Sequence, residues 1–205
     1  MIKALFGLAA VLFMSQTNAV AMDVPGGLIR SADSLPTNTY ELVLTPGYTF
    51  RPNGAYMTSE IRYQPNEDFG VGFGFGAGEA GFNFGMNGSF FIVPDTSNQP
   101  GVSLLAGAYF NRVDQSNYFN VKVTPIVSKR FDTDFGKVVP YAGLHMSPSF
   151  RLGQPDNSLS VKASLGSNWE LRSLSGLKVY TEGSIGLNSS VHEVLLGFSY
   201  PFAAL

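Results

Sequence analysis

His145 and Ser147 stand two residues apart, an imidazole and a hydroxyl that a strand would place on the same face. Such a pair could do nucleophilic chemistry, the ring taking the hydroxyl proton, provided the two reach each other and a substrate has a route in. The flanking residues argue against it. Pro148 follows Ser147, and the next acid downstream is Asp156, with no Glu before Glu170. His145 also shares its face with Tyr141 and Ser149, the polar side of its segment, so the pair reads as polar packing and the expected catalytic set is none. The other histidine, His192, has no second metal ligand nearby, so no metal site is expected. Gly76-x-Gly78-x-x-Gly81 matches a dinucleotide-binding string, but that motif needs a helix next, and Phe82-Asn83-Phe84-Gly85-Met86 alternates as a strand. No cofactor is expected.

The elements that hold these residues repeat with a period of two. From Leu159 the apolar positions are Leu159, Val161, Ala163, Leu165, Trp169 and Leu171; Ser158, Ser160, Lys162, Ser164, Asn168 and Glu170 form the opposite face. Leu177, Val179, Ile185 and Leu187 oppose Lys178, Tyr180, Glu182 and Ser184. The last run carries Val194, Leu196, Phe198, Tyr200 and Phe202. Seven earlier runs begin near Tyr40, Met57, Phe69, Phe82, Val102, Phe119 and Val138. Junctions such as Pro65-Asn66-Glu67-Asp68 and Gln154-Pro155-Asp156-Asn157 supply turn residues between them. About ten strands, with eight as the alternative, form an antiparallel meander, and Pro46 and Pro125 are expected to mark bulges or ends.

Residues 1–21 combine Lys3, an apolar run from Ala4 to Met14 and an Ala19-Val20-Ala21 cleavage motif, the three parts of a secretory signal peptide. Residues 22–38 lack alternation and read as a periplasmic leader, residues 39–202 as the barrel and 203–205 as a tail. Zero cysteines in an exported chain exclude a disulfide scaffold, and a formal charge of -2 gives no polybasic footprint for nucleic acid.

An alternating sheet can be greasy inside, as in a soluble ligand-binding barrel, or greasy outside, as in a membrane barrel. Four features favour the second. The runs last roughly ten residues, the length a tilted strand needs to cross a bilayer. Aromatics such as Tyr40, Phe50, Tyr63, Phe150, Trp169 and Phe202 cluster at run ends. The third and fourth runs set Phe against Gly or Asn, and Gly on a lumen wall leaves room for long side chains. Charges of both signs share the polar face: Glu41, Arg51, Glu60, Arg62, Lys122, Arg130, Lys162, Glu170, Lys178, Glu182 and Glu193. These eleven are expected to line the lumen.

Gly197-Phe198-Ser199-Tyr200-Pro201-Phe202 resembles the C-terminal assembly signal of Gram-negative outer-membrane barrels, with Gly197, Tyr200 and Phe202 in the marked positions. With the export signal and even strand count, the mature chain is similar to the small outer-membrane barrels of the outer membrane protein A and W types. The resemblance implies a place in the outer membrane, both termini periplasmic, and the lipid bilayer and barrel-assembly machinery as partners. The spacing of His145 and Ser147 is similar to that in the lipid A deacylase barrels, which also use a Glu. In those enzymes Asn follows the Ser where Pro148 stands here, and the site must open to lipid, so the resemblance implies no activity.

Ten strands enclose a lumen only somewhat wider than that of eight, which side chains fill. The expected function is therefore a structural envelope barrel, plugged or very narrow. A narrow passive pore with the Gly70–Gly85 sector as one wall is the alternative. All connections are short, leaving no long external loop for an adhesin or substrate mouth.

Overall fold

The computed structural model describes residues 30–50, 53–79, 81–113, 115–155, 157–174, 176–188 and 191–203. The signal peptide, the first part of the leader, Arg51 and the last two residues of the tail lie outside them. Ten long strands close into an antiparallel barrel: β1 (Thr39–Phe50), β2 (Asn53–Gln64), β3 (Phe69–Gly78), β4 (Gly81–Val93), β5 (Gly101–Val113), β6 (Ser116–Ser128), β8 (Gly136–Arg151), β9 (Asn157–Leu171), β10 (Lys178–Gly186) and β11 (Glu193–Ala203). The short β7 (Phe131–Thr133) pairs only with the start of β8. Each long strand pairs with its neighbour in sequence, β6 pairs with β8 past β7, and β1 pairs with β11 to close the ring. Among the described residues, closure leaves each of the ten long strands paired on both sides and only β7 with an open edge, and the long strands follow one another as the antiparallel meander that the alternation predicted.

The alternation that begins at Phe119 continues by parity through Val127 to Phe131, but β6 stops at Ser128 and Phe131 belongs to β7. The two prolines also lie inside strands rather than at their ends. Pro46 keeps its place against Met57 of β2, but the β1–β11 ladder skips from Leu44 to Gly47. Pro125 faces Leu104 of β5, while the β6–β8 register skips from Val123 to Ile126. Each ring removes one N–H donor and the ladder on one side opens there. Among the described residues, the wall's one register shift falls elsewhere, between Phe91 and Val93.

The greasy face is the outer one. Leu42, Leu44, Met57, Ile61, Phe73, Phe75, Met86, Leu165, Ile185, Leu196 and Phe198 are exposed, while inward neighbours such as Glu41, Thr45, Thr58, Arg62, Asn87, Ser164, Ser184 and Ser199 are buried. Rings gather near the two ends. Tyr40 stacks on Tyr63 at 4.6 Å and on Phe202 at 5.7 Å near the termini, and Phe84 meets Phe110 at 5.2 Å toward the other end. Val161 departs from its face, being buried: Asn188 caps its backbone N–H at 2.6 Å, and Leu187 N–H donates to its carbonyl. This inverted wall is the build of a transmembrane β-barrel.

Candidate functional site

The interior is polar, crowded and largely ion-paired. Adjacent parities on β1 and β2 bring Glu41, Glu60 and Arg62 to the lumen side, because period two puts Glu60 and Arg62 on one face and register sets Arg62 opposite Glu41. Arg62 NH1 donates to Glu41 Oε2 at 3.1 Å and its Nε to Glu60 Oε2 at 2.9 Å. Glu41 Oε1 also accepts from Ser199 Oγ at 2.8 Å and Tyr180 OH at 3.3 Å, with Lys178 Nζ 3.5 Å away. Toward the far end, Glu193 accepts from Lys162 Nζ at 2.8 Å, Ser184 Oγ at 3.0 Å and Tyr56 OH at 2.9 Å. Glu182 accepts from Tyr141 OH at 3.1 Å. Buried charges are tolerated only with such partners, since an isolated one costs several kcal/mol of desolvation.

The eleven expected lining charges separate by position. Glu41, Arg62, Lys122, Lys162, Glu182 and Glu193 are buried in the lumen, and Glu60 and Lys178 nearly so. Two stand at the mouth, bordering the cavity at the terminal end rather than the enclosed lumen. Glu170 sits at the rim, its side chain 41% exposed and 3.7 Å from Lys137, and Arg130 lies past the end of β6, its side chain 44% exposed. Both fall where their strands leave the barrel, so face parity no longer implies enclosure. Arg51 is outside the described residues. Of the expected assembly signal, Gly197 faces inward, while Tyr200 and Phe202 face outward on the strand that closes the ring.

Three kinds of lumen residue escaped the sequence reading. The first is the chain before β1. Residues 30–38 of the expected periplasmic leader enter the open end of the barrel, where Arg30, Ser31, Ala32 and Leu35 are buried. Arg30 NH2 donates to Glu60 Oε1 at 2.5 Å and to Asn87 Oδ1 at 2.7 Å. Ala32 N–H donates to Ser128 Oγ at 2.9 Å, and Asp33 pairs with Arg130 at 3.0 Å. A cavity of about 660 Å³ remains beside this segment, bordered by Glu41, Arg62, Asn168, Lys178 and Tyr180.

The second is a set of tyrosines lying over glycines of adjoining strands. A Cβ on Gly166 would stand 2.4 Å from the Tyr141 ring, one on Gly47 2.5 Å from Tyr56, and one on Gly85 2.5 Å from Tyr109. The expected role of lumen glycine, room for long side chains, thus takes a specific form. The third is a few apolar side chains turned inward: Val43 and Leu195 pack with Tyr56 and Tyr180, and Leu105 with Ile126 and Tyr141. The tyrosine–glycine signal was present in the parity of the strands, but register between strands was needed to read it.

His145 and Ser147 face the lumen, 1% and 2% exposed. The imidazole bonds sideways, Nδ1 to Thr124 Oγ1 at 3.0 Å and Nε2 to Ser164 Oγ at 2.8 Å, so its two nitrogens bridge β6 and β9. One nitrogen donates and the other accepts, and both hydroxyls can adapt to either tautomer.

No protein-family model matches the chain, and no curated protein does. Among solved structures it is similar to a designed transmembrane β-barrel, at 14% identity over 82% of this chain and 98% of the other, with a TM-score of 0.41. It is also similar to the outer membrane protein Omp33 of Acinetobacter baumannii, at 9% identity over 80% and 98%, TM-score 0.41. For the N-terminal β-barrel domain of Pseudomonas aeruginosa OprF the values are 11%, 81%, 98% and 0.37. Likenesses this distant carry no functional argument. The architecture rests on the chain's own closed pairing and inverted wall, and in that fold it resembles outer-membrane β-barrels.

Proposed function

We propose that the protein is an integral outer-membrane β-barrel, exported by its N-terminal segment and inserted by the barrel-assembly machinery, with a structural role in the envelope and a lumen closed at rest. The observation that carries this reading is the inversion of the wall. Leu165 is 71% exposed outside while Lys162, three residues earlier, is 1% exposed inside. A continuous greasy exterior of this kind would drive association in water but is solvated by acyl chains. The paired lumen charges and the inserted N-terminal segment support closure. A narrow passive pore is the second reading, favoured by the cavity of about 660 Å³ at the terminal end. We assign no catalysis to the chain; the interior bonding of His145, away from the greasy face, supports that.

The experiment uses the single tryptophan and the absence of cysteine. Trp169 fluorescence should be quenched in brominated-lipid vesicles, and spin labels at Leu165→Cys and Phe198→Cys should report acyl chains. A processed chain that stays monomeric in plain buffer, with those labels in a dry protein interior, would show a soluble barrel instead.

A further inference from the structure

Arg30 borders two spaces at once. On one side is the cavity of about 660 Å³ at the terminal end; on the other is a cavity of about 20 Å³ between Thr45, Thr58, Gly74, Asn83 and Leu105. The guanidinium passes over Gly72, where an added Cβ would stand 2.7 Å from Arg30 NH2, to reach Glu60 and Asn87. The side chain that divides the two spaces is carried by a segment outside the barrel ladders. Residues 30–37 belong to no strand, whereas every wall strand is paired on both sides. Segments with few backbone bonds open at lower free energy than the sheet around them.

The charge balance also permits Arg30 to leave. Withdrawn toward the terminal end it regains water, and Glu60 keeps Arg62 at 2.9 Å and Asn87 Nδ2 at 2.8 Å. No carboxylate is stranded without a partner, the situation that makes breaking most buried pairs costly. The space vacated lies over Gly72 of β3, between the larger cavity and the small one beside Gly74, because glycine at position 72 brings no side chain of its own. With Arg30 gone, Glu41 and Glu60 would still face Arg62 and Lys178, two acids against two bases, so the cluster stays neutral as the segment leaves.

We propose that residues 30–36 are a displaceable plug whose withdrawal joins the two spaces over Gly72 and opens a passage for small ions. This rests on the reading of the chain as a membrane barrel, so membrane insertion is scored separately from current. The plug can be locked covalently. A Cβ at position 101 would lie 3.4 Å from Ala32 Cβ, close to the roughly 3.5–4.5 Å of a disulfide, and the chain has no other cysteine.

Three refolded proteins are compared in planar bilayers under a KCl gradient: the mature chain, the Ala32→Cys/Gly101→Cys chain, and a variant lacking residues 22–36. Heat-modifiable migration and protease resistance in vesicles show that each has inserted; failure of the mature chain there overturns the barrel reading itself. The shortened variant should pass discrete current steps. The oxidised double-cysteine chain should be silent, and reduction should return it to the behaviour of the mature chain. Should the shortened chain fail to insert, Arg30→Ala in the full mature chain takes its place with the same expectation. An inserted variant of either kind that is silent, or an oxidised chain that conducts, overturns the plug.

Discussion

Lys162 and Glu193 meet at 2.8 Å inside the barrel, with side chains 2% and 5% exposed. The pair is drawn from strands β9 and β11, which do not touch each other in the sheet, so it ties the wall together across β10. Removing the ammonium alone, as in Lys162→Met, leaves a buried carboxylate with only hydroxyl donors and should destabilise the barrel by about 3–5 kcal/mol. Replacing both partners by methionine should recover most of that loss. Urea unfolding of vesicle-refolded protein reads both; equal losses in the single and double variants would show that the pair is not coupled.

The tyrosine rings over glycine make a second prediction. Gly166→Ala drives a methyl into the Tyr141 ring and should cost about 1–3 kcal/mol as overpacking. Combined with Tyr141→Ala, the two losses should be clearly less than additive, because the clash disappears with the ring. Additive losses in a urea double-mutant cycle would contradict the packing.

Depth along the wall sets a third. Leu165 lies mid-strand on β9, paired between Ala142 and Gly183, and Leu152 lies beyond the end of β8. Arginine at position 165 should cost about 2–4 kcal/mol and at position 152 about 0–1 kcal/mol, the gradient expected between bilayer centre and interface. Refolding titrations in vesicles measure the two, and equal costs would remove the lipid from the argument.

The histidine makes a fourth prediction, about chemistry. Expression of the chain should leave the lipid species of the envelope unchanged, and His145→Ala and Ser147→Ala should behave as the wild type in lipid mass spectrometry. An altered lipid profile that appears with wild type and vanishes in both variants would establish the hydrolase reading. The structural cost of His145→Ala should still show in urea unfolding, since Thr124 and Ser164 each lose a partner.

The wall was legible because it depends on single-strand parity. Leu42 against Glu41, or Phe73 against Gly72, states which face is greasy before any partner strand is known, and charges of both signs on the other face stated that it is enclosed. What lay across strands was not legible. The Tyr56 ring over Gly47 depends on register between β1 and β2, and the Lys162–Glu193 pair on curvature that brings β9 toward β11. Arg130 and Glu170 show where parity alone misleads, since it persists to the mouth of the barrel, where both side chains border the cavity but are partly exposed. The N-terminal segment was read as external because it has no periodicity, and its placement is set by Arg30 finding Glu60 thirty residues away.

The connections at the end opposite the termini are uneven. Those after β1, β3 and β5 have two residues each, while residues 152–156 and 187–192 join the later strands. With both termini periplasmic, as the resemblance to outer-membrane barrels implies, the rim from β1 to β6 would present almost nothing beyond its strands to the outside. Antibodies and bacteriophage would then meet scarcely any polypeptide there, and an epitope tag meant to be seen from outside belongs in one of the two taller connections.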